Sequence, residues 1–144
     1  SFGAGALRAA DGVFVLGCMN AHTANAGRVY FPAGTPDPHD VVGDRVDLAA
    51  SIVREMQEEA GLGPADYEAA AGWTIVRSAQ MFACFRLLMA KLPAAELKRR
   101  IETYLASERL PELSGVRLVR RIADLDAAMP PFVTAFLEDA LAQD

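Results

Sequence analysis

The ten residues "MFACFRLLMA" (81–90) limit the fold more than any other stretch of the chain. Read as a strand, they put apolar side chains on both faces, which requires a layer of protein above and another below. They are too few to cross a bilayer as a helix, and no apolar span of about 18 residues occurs elsewhere in the chain. A covered central strand must find neighbours and covering layers in the remaining residues.

The neighbours are readable. "GALRAADGVFVLGCM" suits two strands joined at Asp11-Gly12, a strong hairpin dipeptide. "NAHTANAG" (20–27) is small and polar, as a loop is, and "RVYF" (28–31) is a short strand that stops at Pro32. Further strands are expected near 72–79 and, by alternation in "GVRLVRRI", over 115–122. The covering layers come from three helices. The first, 48–60, has an apolar stripe of Leu48, Ile52 and Met56, with Asp47 as N-cap and Gly61 as its C-terminal stop. The second, 93–107, opens at Pro93 and sets Leu97, Ile101 and Leu105 on one face, with Lys98, Arg99 and Arg100 outside. The third covers 130–142. Strands and helices interspersed in this way predict an α/β protein with helices packed on a mixed sheet. A length of 144 residues predicts one domain over 1–144. The chain begins at Ser1 rather than Met, which leaves room for an N-terminal segment upstream.

Charge narrows the partners. A formal charge of -5 disfavours a nucleic-acid polymer. Cys18 and Cys84 both lie in apolar runs, which predicts buried thiols and suits a reducing cytoplasm. No secretory segment is recognisable, so no membrane is expected, and a homodimer is left open.

One helix breaks its own rules. "REMQEEAGL" (54–62) places Glu55, Glu58 and Glu59 within five positions. Like charges at i,i+4 cost a helix a few tenths of a kcal/mol (~0.2–0.5), so helix formation does not ask for them. Carboxylates clustered on a rigid element suit a hard divalent cation, and they equally suit a solvated acidic face. The helix is preceded by "AGTPDPHDVVGDR" (33–45), irregular by composition and long for a connection, with residues 35–44 placed to form a loop over a cleft.

The flanking residues take the reading further. "REMQEEAGL" resembles the second half of the Nudix box, G-x5-E-x7-R-E-U-x-E-E-x-G-U with U aliphatic. Arg54, Glu55, Met56, Glu58, Glu59, Gly61 and Leu62 match every defined position there, and "FPAG" (31–34) resembles the entry to the box, with Gly34 as its first glycine. There are two departures. Arg54 lies 20 positions after Gly34 where the pattern has 14, an insertion of about six residues, and the upstream glutamate position falls on Val46. Asp47 is the candidate substitute, with Asp44 second. Ala33 stands where the family usually has glycine.

The resemblance implies a Nudix-like α/β/α sandwich and hydrolysis of a nucleoside diphosphate linked to another moiety. It implies that Glu55, Glu58 and Glu59 hold Mg²⁺ or Mn²⁺, with the Ala33 carbonyl as a further ligand. Arg54 would orient a glutamate, and Gly61 and Leu62 would end and anchor the helix. Arg28 and Arg86 are the candidate substrate-binding cations; Arg86 also suits an ion pair or a sheet edge. Glu108 and Glu112 lie in a late loop, and some relatives draw an extra ligand or base from such a loop, although no motif here aligns with theirs. Trp73, Phe82 and Phe85 suit core packing better than base stacking, and His22 suits an exposed loop. The alternative is a Nudix-like module that binds a nucleotide or metabolite without cleaving it; a third reading is an unrelated domain whose acidic helix meets a protein partner. The choice among diphosphate substrates stays open.

Overall fold

The computed structural model describes residues 2–34, 48–78 and 81–144. The insertion at 35–44 and both candidates for the missing glutamate, Asp44 and Asp47, lie outside the described residues.

The hairpin forms where its turn residues demand it. β1 (Phe2–Arg8) and β2 (Phe14–Met19) are antiparallel, and Gly12 turns the chain at φ 87°. The Gly12 amide donates to the Ala9 carbonyl at 2.9 Å, and the Ala9 amide donates to Val13 at 2.8 Å. β3 (Val29–Tyr30) pairs with β2 at Gly17 and Cys18 and is shorter than the expected 28–31. Beyond it, Ala33 bridges to Gly5, so the chain entering the carboxylate helix is stitched to β1.

β6 (Phe82–Ala90) is the covered strand that its composition requires. It pairs parallel with β1 from Phe2↔Ala83 to Arg8↔Met89. On its other side it pairs antiparallel with β4 (Tyr67–Ala69) and β5 (Thr74–Arg77). β7 (Leu113–Val119) pairs with β2, which completes a mixed seven-stranded sheet. β4 had no sequence signal: it is three residues long, with Glu68 and Ala69 exposed, and shows no apolar alternation. β7 starts earlier than 115–122, at Leu113 paired with Met19, and it stops earlier because the Asp124 carboxylate accepts from the amides of Arg120 and Arg121, at 2.8 and 3.2 Å, and turns the chain.

The helices fall almost where periodicity puts them: α1 Leu48–Ala60, α2 Ala94–Ser107 and α3 Pro131–Ala142. α1 closes on β1 over two glycines. A Cβ on Gly3 would stand 3.2 Å from Leu48 Cβ, and one on Gly5 would stand 2.9 Å from Ile52 Cγ2 and 2.8 Å from Leu88 Cδ1. α2 adjoins α1 and packs on β7 and β2. Its first turn is tied to the hairpin, where Asp11 Oδ1 accepts from the Ala94 amide at 3.0 Å. The other face carries α3 through an aromatic cluster: Phe136 stacks on Phe85 with centroids 4.4 Å apart, and Phe132 meets Phe2 edge-on at 5.1 Å. The architecture is therefore an α/β/α sandwich around a mixed sheet. Cys18 and Cys84 are free and only half-buried, less deep than their apolar surroundings suggest.

The close approach at Gly5 is testable. Gly5→Val should destabilise the protein by about 1–3 kcal/mol in urea unfolding, since side chains from α1 and β6 already fill the space. Gly115→Ala in β7, where a Cβ meets nothing within 4 Å, should leave stability unchanged or slightly raised. Equal effects would show that close packing at Gly5 does not set the position of α1.

Candidate functional site

Glu59 does not point to solvent. Ile52, Met56, Glu59 and Ala60 are the buried residues of α1, so the carboxylate lies on the apolar stripe, and Glu59 is only 5% exposed. Among the described residues its Oε2 is buried with no hydrogen-bond partner. Glu55 is half-buried and Glu58 exposed. Spacings of four and three from Ile52 through Met56 to Glu59 carry this information in the sequence, because they put Glu59 on the side that faces the sheet.

The wall opposite Glu59 comes from the segment between α2 and β7. Glu58, Glu59, Tyr104, Glu108 and Glu112 line a cavity of about 250 Å³, closed by Leu105, Leu110 and Pro111. Glu112 hydrogen-bonds Glu59 side chain to side chain. The segment carrying Glu112 is held by the polar loop after β2. The Asn20 amide donates to the Glu112 carbonyl at 2.8 Å, and Asn20 Nδ2 donates to the Pro111 carbonyl at 3.1 Å. His22 Nε2 lies 2.7 Å from the same Pro111 carbonyl and, facing an acceptor, must donate. His22 thus serves the wall of the cavity from outside it.

The electrostatics follow from crowding. Burial, then the hydrogen bond and charge of Glu112, then the charges of Glu55 and Glu58, push the Glu59 carboxyl up to about 10. Two oxygens that share a hydrogen bond at such a place share a proton, unless a cation replaces it. Tyr104 is pushed up to about 12 by burial, then by its contact with Glu108 and by the charges of Glu108, Glu58 and Glu112.

The remaining expected residues are more scattered. The Ala33 carbonyl accepts from the Gly5 amide at 2.8 Å, which leaves one lone pair for any further partner, and the residue is buried. Gly34 is buried against Ala4. Arg54 is exposed and, among the described residues, forms no ion pair. Gly61 takes φ 70° and its amide donates to the Gln57 carbonyl at 3.0 Å, ending α1, while Leu62 is buried. Neither Arg28, which is exposed, nor Arg86 lines the carboxylate cavity. Arg86 aligns with Gly5 on the α1 face; its guanidinium covers the Trp73 ring at 4.4 Å, and its Nε is buried without a hydrogen-bond partner. Phe85 belongs to the core, whereas Phe82 is exposed and carries Arg77 over its ring.

The donor chemistry is all carboxylate oxygen, which suits a hard cation, and the orphaned Glu59 oxygen offers it a buried lone pair. As they stand, the described residues include no group of three His, Cys, Asp or Glu side chains arranged to hold a metal ion. Glu59 and Glu112 are joined by a hydrogen bond instead.

Solved structures share the fold. The MutT protein from Methanosarcina mazei Go1 superposes with a TM-score of 0.58 at 18% identity, over 95% of this chain and 88% of that one. The M. smegmatis Nudix hydrolase RenU gives 0.59 at 17% identity, over 98% and 84%. The chain has the Nudix hydrolase fold. The Ap4A hydrolase of C. elegans, solved as a binary complex, shares it with a TM-score of 0.58 at 13% identity, over 98% of this chain and 92% of that one. No family model matches the chain, and no curated protein matches it in sequence. Among the described residues, no helix of this Nudix fold is long and apolar enough to cross a membrane.

The pH dependence of stability follows from Glu59. The folded, metal-free protein keeps the Glu59 proton to about pH 10, while the unfolded chain releases it near the ordinary value of 4.5. Between those values the folded state binds more protons, so stability falls as pH rises. The Tm of metal-free protein should decline across that window, and Glu59→Gln should flatten the decline. Identical profiles for the two proteins would dismiss the buried carboxyl as its cause.

Proposed function

We propose that this chain is a hydrolase that cleaves the diphosphate linkage of a nucleoside diphosphate joined to another moiety, using Mg²⁺ or Mn²⁺. The observation that carries this reading is the buried, unpartnered Glu59 oxygen in a cavity walled by Glu58, Glu108 and Glu112. A carboxylate cluster that served only solubility would lie in water, where it costs least. The Nudix fold and the match of "REMQEEAGL" to the box supply the reaction class.

In this reading Glu55, Glu58 and Glu59 from α1 hold the cation, with Glu112 from the opposite wall. Bound there, Mg²⁺ or Mn²⁺ supplies Lewis acidity, offsetting diphosphate charge and acidifying water. The chain's own residues do the rest. When the cation is bound, the proton shared by Glu59 and Glu112 would leave to solvent, and Glu59 would become an acceptor. Glu108, on the same wall and not among the residues that hold the cation, is the general base. It takes a proton from the attacking water as the new phosphorus–oxygen bond forms, and the bridging oxygen departs with the other phosphate. Arg54 would orient a glutamate, and Arg28 and Arg86, both outside the carboxylate cavity, are the candidate cations for the parts of the substrate that extend beyond it. Arg86 is the better prepared of the two, since its buried Nε lacks an acceptor. An acidic cavity on a chain of charge -5 repels a bare diphosphate, which is why the cation is integral to this reading. Free Cys18 and Cys84 suit a reducing cytoplasm.

Phosphate or nucleotide release across a panel of diphosphate compounds, with Mg²⁺ or Mn²⁺ present, tests the reading. Glu58→Gln and Glu59→Gln should each cut turnover by orders of magnitude and keep the fold, and Glu108→Gln should cut it about 10²- to 10⁴-fold. No turnover of any panel member by the unaltered protein, or undiminished turnover in both α1 variants, would refute the assignment.

A further inference from the structure

α1 ends where its carboxylates sit, and a helix end leaves its last carbonyls without intrahelical donors. Gly61 supplies an amide to Gln57, as a left-handed C-terminal stop does. The next carbonyl, that of Glu58, receives its donor from another helix: the Tyr104 hydroxyl of α2 donates to it at 2.8 Å. The geometry that permits this is specific. A Cβ on Gly61 would stand 2.4 Å from Tyr104 Cγ and Cδ1, so the tyrosine ring occupies the space that a side chain at 61 would need. Gly61 is therefore required twice, once for its φ of 70° and once to admit the ring. Tyr104 also lines the carboxylate cavity beside Glu58 and Glu59.

We propose that Tyr104 is a positioning residue for the cation site, holding the last turn of α1 through the Glu58 carbonyl so that the Glu58 and Glu59 side chains stay aimed into the cavity. The proposal rests on the reading of those carboxylates as cation ligands. The physical reason is leverage. The hydroxyl grips the backbone of one ligand residue next to another, at the end of a helix, where the carbonyls lack intrahelical donors. The backbone at Glu58 then cannot shift without breaking a hydrogen bond to a helix that is itself anchored on the hairpin by Asp11. Nothing in the box-like stretch itself encodes this contact, since it joins residues 46 positions apart.

Tyr104→Phe keeps the ring against Gly61 and removes only the hydroxyl. Calorimetric titration with Mn²⁺ alone should show affinity weakened about five- to tenfold, in line with one lost hydrogen bond, with the metal-free Tm nearly preserved. Ile101→Val, which loosens α2 in the core without touching the hydroxyl, should lower the Tm and leave Mn²⁺ affinity unchanged. Unaltered affinity in Tyr104→Phe, with the unaltered protein binding Mn²⁺ and Glu58→Gln weakened, overturns the positioning role and leaves the cation site standing. Weakening of the same size in Ile101→Val also overturns it, because loss of stability would then be the cause. If the unaltered protein does not bind Mn²⁺, or Glu58→Gln binds it equally well, the underlying cation reading fails and the positioning role with it.

Discussion

Putting Glu59 on the buried stripe of α1 is the constraint around which the rest of this molecule is arranged. An ionised carboxylate in such a place carries a desolvation cost of several kcal/mol even after the protein relaxes, unless a proton or a cation neutralises it. The fold leaves one of its oxygens without a partner and sets Glu112 against the other part of the carboxyl. Selection for stability alone would place an alanine or leucine there. The cost makes sense where the neutralising charge is brought by a ligand, and the walls of the cavity supply carboxylates that such a ligand would bridge.

Every neighbouring element contributes to holding that carboxylate in place. Gly3 and Gly5 lower α1 onto β1, which sinks Ile52 and Met56 and takes Glu59 with them. The hairpin turn at Asp11 starts α2 by accepting from the Ala94 amide, and α2 brings Tyr104 and Leu105 to the cavity. Pairing of β7 with β2 carries the 108–112 segment back across the sheet edge, and Asn20 and His22 fasten it at Pro111 and Glu112. On the far face the aromatic cluster around Phe85 and Phe136 secures the sheet that α1 rests on. The cavity is thus lined from two stretches of chain, the end of α1 and residues 104–112, each fixed by ordinary backbone and packing interactions.

Much of this was readable before any coordinates. Helices 48–60, 93–107 and 130–142 were visible because an apolar face repeating every three or four residues is a local signal, and the observed elements differ by a residue or so. The central strand was visible because its two apolar faces leave no other placement. β4 was not, since three residues with two exposed carry no periodicity and are strand only by virtue of pairing with β6. The site divided along the same line. The spacing of the three α1 carboxylates marks them in the sequence, whereas nothing local to Glu112 does, and only the resemblance points to its loop. Phe82 and Phe85, three residues apart on one strand, point to opposite faces of the sheet: Phe85 lies under Phe136, while Phe82, at the start of the strand, is exposed.

What resides in the chain alone is the set of local periods and turn dipeptides, together with the short stretch that resembles the Nudix box: these depend on residues within a few positions of one another. Tertiary structure decided which of the three glutamates is buried, which late-loop residue faces it, and which distant hydroxyl ends the helix. Those outcomes depend on contacts across 46 positions or more, between Tyr104 and Glu58 and between Glu112 and Glu59. No window of sequence contains such a contact, because it exists only once a sheet has set the two helices and the returning loop side by side.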